Sequence, residues 1–412
     1  MQNKPSFIAS AGPLLLVLFI DGMGLGLVFP ILNGLIFDPN SHFLPDATFS
    51  STMHNVVYGA IVSIFMLCWF FGAAVLGDLS DKIGRKKSLM ICLLGTFLSY
   101  ILSAFAVMTH SLTLLILGRV VAGFTSGSQP IAQAAIIDLS LPHEKMRNIG
   151  YILLSLSFGF IIGPLLGGVL SDSQIVSWFN FAVPFYFAAS VSLLNIILLQ
   201  WLFNETFVSK STTFKINPYQ AIDIFISAFK NENIRNLSIL FFIFMFGWSS
   251  FYSFIALYLL KVFQFTPTQV SLFMAAMGIG FGIGNGYLSN FFAKYFPLST
   301  LYIWSTLTTG LIILLMLILK NSLLNWFLVV LLASIVSIAY TSILTLFSNQ
   351  VDENSQGWVM GVTGSIMAFV FGLDGIAVGI LAAWGDALPI WIATVSLLMT
   401  GIASMFLLKV RE

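Results

Sequence analysis

Two acidic residues lie deep inside long apolar runs of this sequence. Asp21 falls near the middle of the first run, and Asp374 lies between Gly372 and Gly375 in the eleventh. A carboxylate is costly in an apolar environment, so its neutral form is favoured, and it can exchange a proton when its access to water changes. We therefore predict that at least one of the two exchanges protons. A helix cap or an interhelical hydrogen bond is the alternative for each residue.

Arg119 is the one basic residue within an apolar run. Such a residue usually faces the protein interior or a water-filled cavity. Gly123 and Gly127 continue one helical face from it, and small residues let a neighbouring helix approach closely. We expect Arg119 to bond backbone carbonyls of the first helix and to respond to the protonation of Asp21. A purely structural arginine is the alternative.

A charged turn follows the second apolar run. Its residues run from Gly77 through Asp81 and Gly84 to Arg85 and Lys86. Carboxylates alternate with bases around a tight turn, so we expect an ion-pair cluster, with Asp138 at the same depth. The alternative is a set of basic anchors at the membrane surface.

The composition sets the class of protein that must position these groups. Of 412 residues, 58% are hydrophobic and 8% are charged, whereas a soluble domain carries roughly a quarter charged residues. A water-soluble protein is excluded, because one core cannot bury so much apolar surface. The net charge of +1 leaves no basic surface for nucleic acid. The sequence therefore indicates an integral protein of the lipid bilayer.

The apolar runs have the length of membrane helices, about 20 residues each. They predict an all-α membrane protein with about twelve transmembrane helices in two pseudo-symmetric six-helix bundles. We place the helices near 12–34, 55–78, 88–109, 112–137, 149–171, 181–203, 237–260, 268–291, 298–319, 322–346, 357–382 and 388–408.

A polar gap divides the runs into two sets of six. We expect an N-terminal bundle over 1–203, a cytoplasmic linker over 204–236 and a C-terminal bundle over 237–412. Pro218 to Lys230 predicts a helix in the linker, either along the membrane surface or packed on the two halves. A G-x-L-S-[DN] frame occurs after the second and the eighth run, so the repeat is parallel, as in transporters with a site between their halves.

Lysine and arginine are distributed unevenly between the two sides of the membrane. With the N-terminus inside, every basic residue outside a span except Lys261 and Lys320 falls on the cytoplasmic side. The positive-inside rule therefore predicts that both termini are cytoplasmic.

Several motifs resemble one family. The segment Gly77 to Leu89 resembles the signature between helices two and three of the major facilitator superfamily, and Arg119 with its two glycines resembles the helix-four motif. The stretch from Gly163 to Gly168, G-P-L-L-G-G, resembles the helix-five motif of that superfamily's proton-driven antiporters. Asp21-Gly22-Met23-Gly24 resembles the helix-one motif of tetracycline/proton exporters.

The resemblance implies roles for two groups of residues. The first is a gate, in which Asp81, Arg85 and Asp138 form a charge relay that holds the halves together while the cavity faces outward. The second is a smooth, bent face on helix five that controls leak between the halves. The gate set is Gly77, Asp81, Gly84, Arg85, Lys86 and Asp138, and the helix-five set is Gly159, Gly163, Pro164, Gly167 and Gly168.

Candidate substrate contacts are aromatic and amide residues well inside the spans. An apolar cavity with few polar groups suits an amphipathic organic molecule. The alternative for each aromatic residue is a lipid-facing position, and helical phase alone does not choose. The candidates are Gln129, Gln133, Trp248, Phe251, Tyr252 and Asn285.

These observations favour a proton-coupled antiporter that exports a small amphipathic compound. An importer or facilitator of a metabolite or siderophore is the alternative, and a receptor without flux is a remote one. The sequence has no nucleophile, metal or nucleotide-binding motif inside the spans, so we expect neither an enzyme nor a cofactor or metal. The expected partners are protons, a small molecule and lipid, and we expect a monomer in a bacterial inner membrane.

Overall fold

The computed structural model describes residues 7–38, 41, 43–44, 50–140, 145–206, 219–351, 356–382 and 384–408. These residues form helices joined by short connections, so the predicted all-α architecture is confirmed. Eleven of the helices are long and apolar enough to cross a membrane. A twelfth crossing consists of two shorter helices in sequence.

The helices divide into two halves joined by a short linker helix. The N-terminal half contains α1 (Phe7–Phe37), α2 (Ser51–Ile83), α3 (Arg85–Met108), α4 (Leu112–Thr125), α5 (Ser128–Asp138), α6 (Lys145–Ser171) and α7 (Val183–Leu202). The linker helix is α8 (Gln220–Lys230). The C-terminal half contains α9 (Arg235–Val262), α10 (Pro267–Ile283), a π-helical turn (Gly284–Leu288), α11 (Ser289–Phe292), α12 (Leu298–Leu319), α13 (Ser322–Asn349), α14 (Gln356–Ala382) and α15 (Leu388–Leu407).

Polar residues begin several of these helices. Ser50 accepts a hydrogen bond from the N–H of Met53 at the start of α2. Thr266 and Gln269 form a reciprocal capping box at the start of α10. These side chains satisfy backbone N–H groups that have no partner within the helix, and so they fix where each span starts.

The fourth crossing is interrupted, whereas the sequence predicts one helix over 112–137. α4 ends at Thr125, and α5 begins at Ser128. The hydroxyls of Thr125 and Ser126 donate to the carbonyls of Val121 and Ala122, each over 2.8 Å. Such bonds compete with the helical ladder and bend it. Two successive hydroxyl residues followed by a glycine therefore break the helix here.

Two seams of small residues join the halves. In the first, α2 crosses α14 so closely that a methyl group on Gly59 would collide with the carbonyl oxygen of Gly375. In the second, α6 crosses α10, where a methyl group on Gly278 would lie 2.9 Å from the carbonyl oxygen of Phe160. Small side chains allow both pairs of backbones to approach.

Hydrogen bonds across the halves cluster at one end of the bundle. We call this the far end, because it lies opposite the charged turn at Gly84, which marks the turn end. Tyr58 donates to the carbonyl of Ser253 over 2.5 Å, and Thr268 donates to the carboxylate of Asp172 over 2.9 Å. These contacts join the two halves at the far end.

Lys261 adds a charged contact at the same end. Its ammonium lies 3.0 Å from Asp386 and donates to the side chain of Asn55 over 3.4 Å. Lys261 and Asp386 belong to the C-terminal half, whereas Asn55 belongs to the N-terminal half. The hydrogen bond from Lys261 to Asn55 therefore connects the two halves. The ammonium also lies 5.3 Å from the centre of the Phe37 ring.

The linker helix α8 packs on both halves. The Phe225 ring lies 6.2 Å from Phe70 on α2 and 4.5 Å from Phe369 on α14, measured between ring centroids. Tyr219 and Ile226 are exposed on its other side. Residues 207–218 of the linker lie outside the described residues. The predicted domain boundaries at 203/204 and 236/237 stay a prediction, although α7 ends at Leu202 and α9 begins at Arg235.

Candidate functional site

A cavity of about 230 Å³ lies between the two halves. Four of the six candidate substrate contacts line it, namely Gln129, Trp248, Tyr252 and Asn285. Its volume is far above the ~15 Å³ that one water molecule needs. The cavity therefore has room for part of an organic molecule as well as for water.

Most of the cavity wall is aromatic or aliphatic. Sequence reasoning did not identify several of these aromatic residues, because the composition is so rich in phenylalanine that helical phase does not separate lipid-facing from cavity-facing positions. The additional aromatic residues are Trp69, Phe160, Phe244, Phe281, Tyr340 and Phe371.

The other two candidates lie outside the wall of this cavity. Phe251 is fully buried and stacks on Trp248, with ring centroids 5.6 Å apart and planes at 28°. Gln133 is half-buried on α5, one turn beyond Gln129. Phe251 therefore packs against the Trp248 ring without lining the cavity itself.

Asn285 reaches the cavity from the π-helical turn. The hydroxyl of Thr341 donates to the Asn285 side-chain oxygen over 3.4 Å. A π turn inserts an extra residue into the helical ladder and rotates the side chains around it, and such turns occur often at functional sites. The turn places an amide within an otherwise apolar wall.

Asp21 lies in a second, smaller pocket inside the N-terminal half, together with Tyr100 and Arg119. The Ser128 hydroxyl lies 2.9 and 3.1 Å from the two Asp21 oxygens. Ser128 is the first residue of α5, so the break in the fourth crossing sets its position.

Arg119 is buried, with 3% of its surface exposed. Its Nη2 donates to the hydroxyl of Ser103 on α3 over 3.2 Å, and its Nε has no hydrogen-bond partner. The expected bonds to carbonyls of the first helix do not form in this conformation, because Gly123 and Gly127 pack against α2 rather than α1. The guanidinium instead lies about 6 Å from two phenylalanine rings.

Asp374 is completely buried in the C-terminal half. The hydroxyl of Ser249 donates to one carboxylate oxygen over 2.8 Å, and that of Ser250 donates to the other over 2.5 Å. Both serines are on α9, so the carboxylate joins α9 to α14. Asp374 thus resembles Asp21, which a single serine hydroxyl binds, and among the described residues no basic side chain pairs with either carboxylate.

The charged turn forms an ion-pair cluster. Arg85 lies 2.7 Å from Asp81 and 3.4 Å from Asp138, so the three side chains meet as expected. Lys86 donates to the carbonyl of Gln200 over 2.8 Å. These described contacts connect α2, α3, α5 and α7, all of which belong to the N-terminal half.

Glu205 completes the cluster, although sequence reasoning assigned it no role there. Its carboxylate accepts the backbone N–H groups of Arg85 and Lys86 at the start of α3. Gly84, with φ of +99°, leaves room for it, since a methyl group there would collide with the carboxylate. Gly77 has no such neighbour. In the sequence, the signal for this contact is an acidic residue directly after the sixth apolar run.

The helix-five glycines face two neighbours. Gly159 and Gly163 lie against backbone atoms of α1, and Gly167 packs near Leu27 of the same helix. Gly168 meets Ser271 of α10 in the other half. Pro164 lies inside α6 and packs beside Gly26 of α1. One stripe of small residues therefore joins α6 to α1 and continues to the seam with α10.

The family model of the Major Facilitator Superfamily matches residues 14–373. This chain belongs to that superfamily. It is 27% identical over 370 residues to the quinolone resistance protein NorA of Staphylococcus aureus (strain COL), covering 88% of this chain and 86% of that protein. It is 32% identical over 193 residues to the class H tetracycline resistance protein of Pasteurella multocida, covering 47% of this chain and 44% of that protein.

Solved structures share the fold. The crystal structure of the human organic anion transporter MFSD10 (TETRAN) superposes with a TM-score of 0.72 at 16% identity, covering 97% of this chain and all of that chain. At this identity the likeness concerns the fold alone. The prediction of two six-helix bundles in a facilitator fold is therefore confirmed.

As a superfamily member, the protein is a multi-pass membrane transporter of small molecules and not an enzyme. Among the described residues, no group of three His, Cys, Asp or Glu side chains could hold a metal ion.

Proposed function

We propose that this protein is a proton-coupled antiporter that exports a small amphipathic organic compound from the cytoplasm by alternating access. The observation that carries the proposal is the placement of Asp21 and Asp374. Asp21 lies in a pocket that shares Leu25 and Met66 with the central cavity, and Asp374 is one helical turn from Phe371, which lines that cavity. Serine hydroxyls bind both carboxyl groups, and no basic side chain among the described residues forms an ion pair with either one. The names of the quinolone and tetracycline resistance relatives support an exported, drug-like compound.

Isolated carboxyl groups suit proton coupling for a physical reason. A carboxylate paired with a base stays charged, whereas a buried one without a base gains more from neutralisation than from staying ionised. Protonation would remove the charge, and loss of the proton would restore attraction between Asp21 and the guanidinium of Arg119 in the same pocket. That change in charge supplies a difference in free energy between two conformations.

The two ends of the bundle would then act in alternation. The far end is closed by Tyr58, Lys261 and Thr268. The cluster of Asp81, Arg85 and Asp138 would close the turn end in the opposite conformation, when the cavity faces outward. We place the turn end, and both termini, on the cytoplasmic side of a bacterial inner membrane.

Inside-out membrane vesicles test this function directly. Vesicles with an acidic interior should accumulate norfloxacin or tetracycline in a manner that depends on the gradient. Asp21→Asn and Asp374→Asn should each be compared with the parent, and the double variant should lose the accumulation. Transport that survives in the double variant would contradict proton coupling through these groups. Uptake into intact cells without accumulation in vesicles would favour an importer instead.

A matched control separates the loss of charge from the loss of fold. Asp223→Asn removes an exposed carboxylate on the linker helix, outside both pockets and apart from the contacts at the far end. It should retain gradient-driven accumulation at more than about half the parent level, since an exposed surface charge contributes little.

A further inference from the structure

Two residues separate the central cavity from the pocket that holds Asp21. Leu25 and Met66 contribute to the walls of both. Leu25 is on α1 and Met66 is on α2. Only 4% of the Met66 surface is exposed. We call this pair the septum.

Charge is distributed unequally across the septum. The small pocket contains the carboxyl of Asp21 and the guanidinium of Arg119. Among the described residues, the side chains that line the central cavity include no Asp, Glu, Lys, Arg or His. Their polar atoms belong to neutral groups such as the amides of Gln129 and Asn285 and the hydroxyl of Ser157.

We propose that the central cavity selects uncharged aromatic cargo over cationic cargo of the same shape, and that the septum maintains this selectivity. The inference deepens the proposed function, because it names the class of compound that the exporter carries. Planar rings gain contact area and stacking against the aromatic wall. A cation gains some attraction from the ring faces, but it loses its hydration without a carboxylate to replace it.

The septum matters because the missing carboxylate is so near. Shortening Met66 would open the central cavity to the small pocket, and a bound cation would then have the Asp21 carboxylate as a counter-charge whenever that group is ionised. Selectivity against cations therefore depends on a thioether side chain that bears no charge itself.

A pair of probes of nearly equal shape tests the proposal on the purified full-length protein. Acridine is uncharged at pH 8, and N-methylacridinium carries a permanent positive charge. Isothermal titration calorimetry should show that the parent protein binds acridine at least about tenfold more tightly. Equal or tighter binding of N-methylacridinium would overturn the proposal, and this measurement requires no variant.

Substitution locates the selectivity. Met66→Ala should narrow the preference to less than about threefold, chiefly by improving the binding of the cation. Met245→Ala is the matched control, because Met245 is equally buried and lines the central cavity but not the small pocket. The Met245→Ala variant should lower the affinity for both probes by similar factors. Leu25→Ala opens the septum from the other side and replaces Met66→Ala if that variant does not fold.

The outcomes separate this inference from the proposed function. If both septum variants keep the parent's preference, the septum has no role in selectivity. If vesicles fail to transport norfloxacin, tetracycline and an uncharged aromatic compound such as chloramphenicol, while the preference and its loss in Met66→Ala are observed, proton-driven export is wrong and the selectivity stands. If vesicles transport and the cation binds as tightly as acridine, only the selectivity is wrong.

Discussion

The carboxylate of Glu205 accepts the backbone N–H groups of Arg85, over 2.8 Å, and of Lys86, over 3.0 Å. Glu205 follows α7, so the last membrane helix of the N-terminal half caps the first turn of α3. The bond is charge-assisted, and a negative group suits the N-terminus of a helix. The charged turn is thereby held by a residue distant from it in sequence.

Replacing this cap should destabilise the protein. Glu205→Ala leaves two N–H groups without their acceptor, and we expect a loss of about 1–2 kcal/mol in the free energy of unfolding. The measurement is the thermal unfolding temperature of the detergent-solubilised protein. Glu232→Ala removes an exposed carboxylate near the start of α9 and is the control. Equal unfolding temperatures for both variants would show that the cap contributes nothing.

Gly84 should be far less tolerant of substitution than Gly77. A φ of +99° with ψ of 156° is a conformation that only glycine adopts easily, and a methyl group would also meet the Glu205 carboxylate. Gly84→Ala should cost about 1–3 kcal/mol. Gly77 is helical with open space around it, so Gly77→Ala should be neutral or stabilising by up to about 1 kcal/mol. Denaturant titration of both variants compares them, and similar losses would contradict the assignment.

Tyr58 should act as a lock at the far end. Tyr58→Phe removes the hydrogen bond to the carbonyl of Ser253, and we expect the seam to open about 2–10 times more often, since such a bond contributes about 0.5–1.5 kcal/mol. A cysteine introduced by Ser63→Cys reports the opening, because Ser63 is fully buried against Gly375. The measurement is the rate of its alkylation after replacing the native cysteines, which are Cys68 and Cys92.

Another buried tyrosine supplies the control for this experiment. Tyr302 is fully buried and donates to the carbonyl of Leu240, but both residues lie in the C-terminal half. Tyr302→Phe should leave the alkylation rate of the Ser63→Cys reporter unchanged. An equal increase in both variants would mean that the label reports general loosening instead of opening at the far end.

Phe225 should hold the linker helix against both halves. Phe225→Ala removes ring contacts with Phe70 and Phe369, each contributing about 0.5–1.5 kcal/mol. Trypsin should then cleave after Lys230 roughly tenfold faster, because the helix detaches more often. Ile226 lies on the exposed side of α8, so trypsin should cleave the Ile226→Ala variant at the parent rate. Unchanged cleavage in Phe225→Ala would show that α8 is held by other contacts.

Much of the architecture follows from local properties of the sequence. Lipid demands about 20 apolar residues per crossing, so the composition of each segment alone predicts a span. The predicted run over 298–319 matches α12 (Leu298–Leu319). The isolation of Asp21 and Asp374 is likewise visible in the sequence, because the apolar run around each residue contains no lysine or arginine. The ion pair of Arg85 with Asp81 is also indicated by the sequence, because the two residues flank the tight turn at Gly84.

Tertiary structure decided which side chains meet. Whether Phe251 or Tyr252 faces the cavity depends on how α9 is rotated among its neighbours, and apolar surface on every side of a membrane helix removes the amphipathic signal that would show this. Arg119 bonds Ser103 because α4 packs closely on α3, where a methyl group on Gly118 would lie 2.8 Å from the Ser103 hydroxyl oxygen. The Glu205 cap and the Tyr58 lock join residues far apart in the chain, and only the packed arrangement of the helices brings such groups within bonding distance.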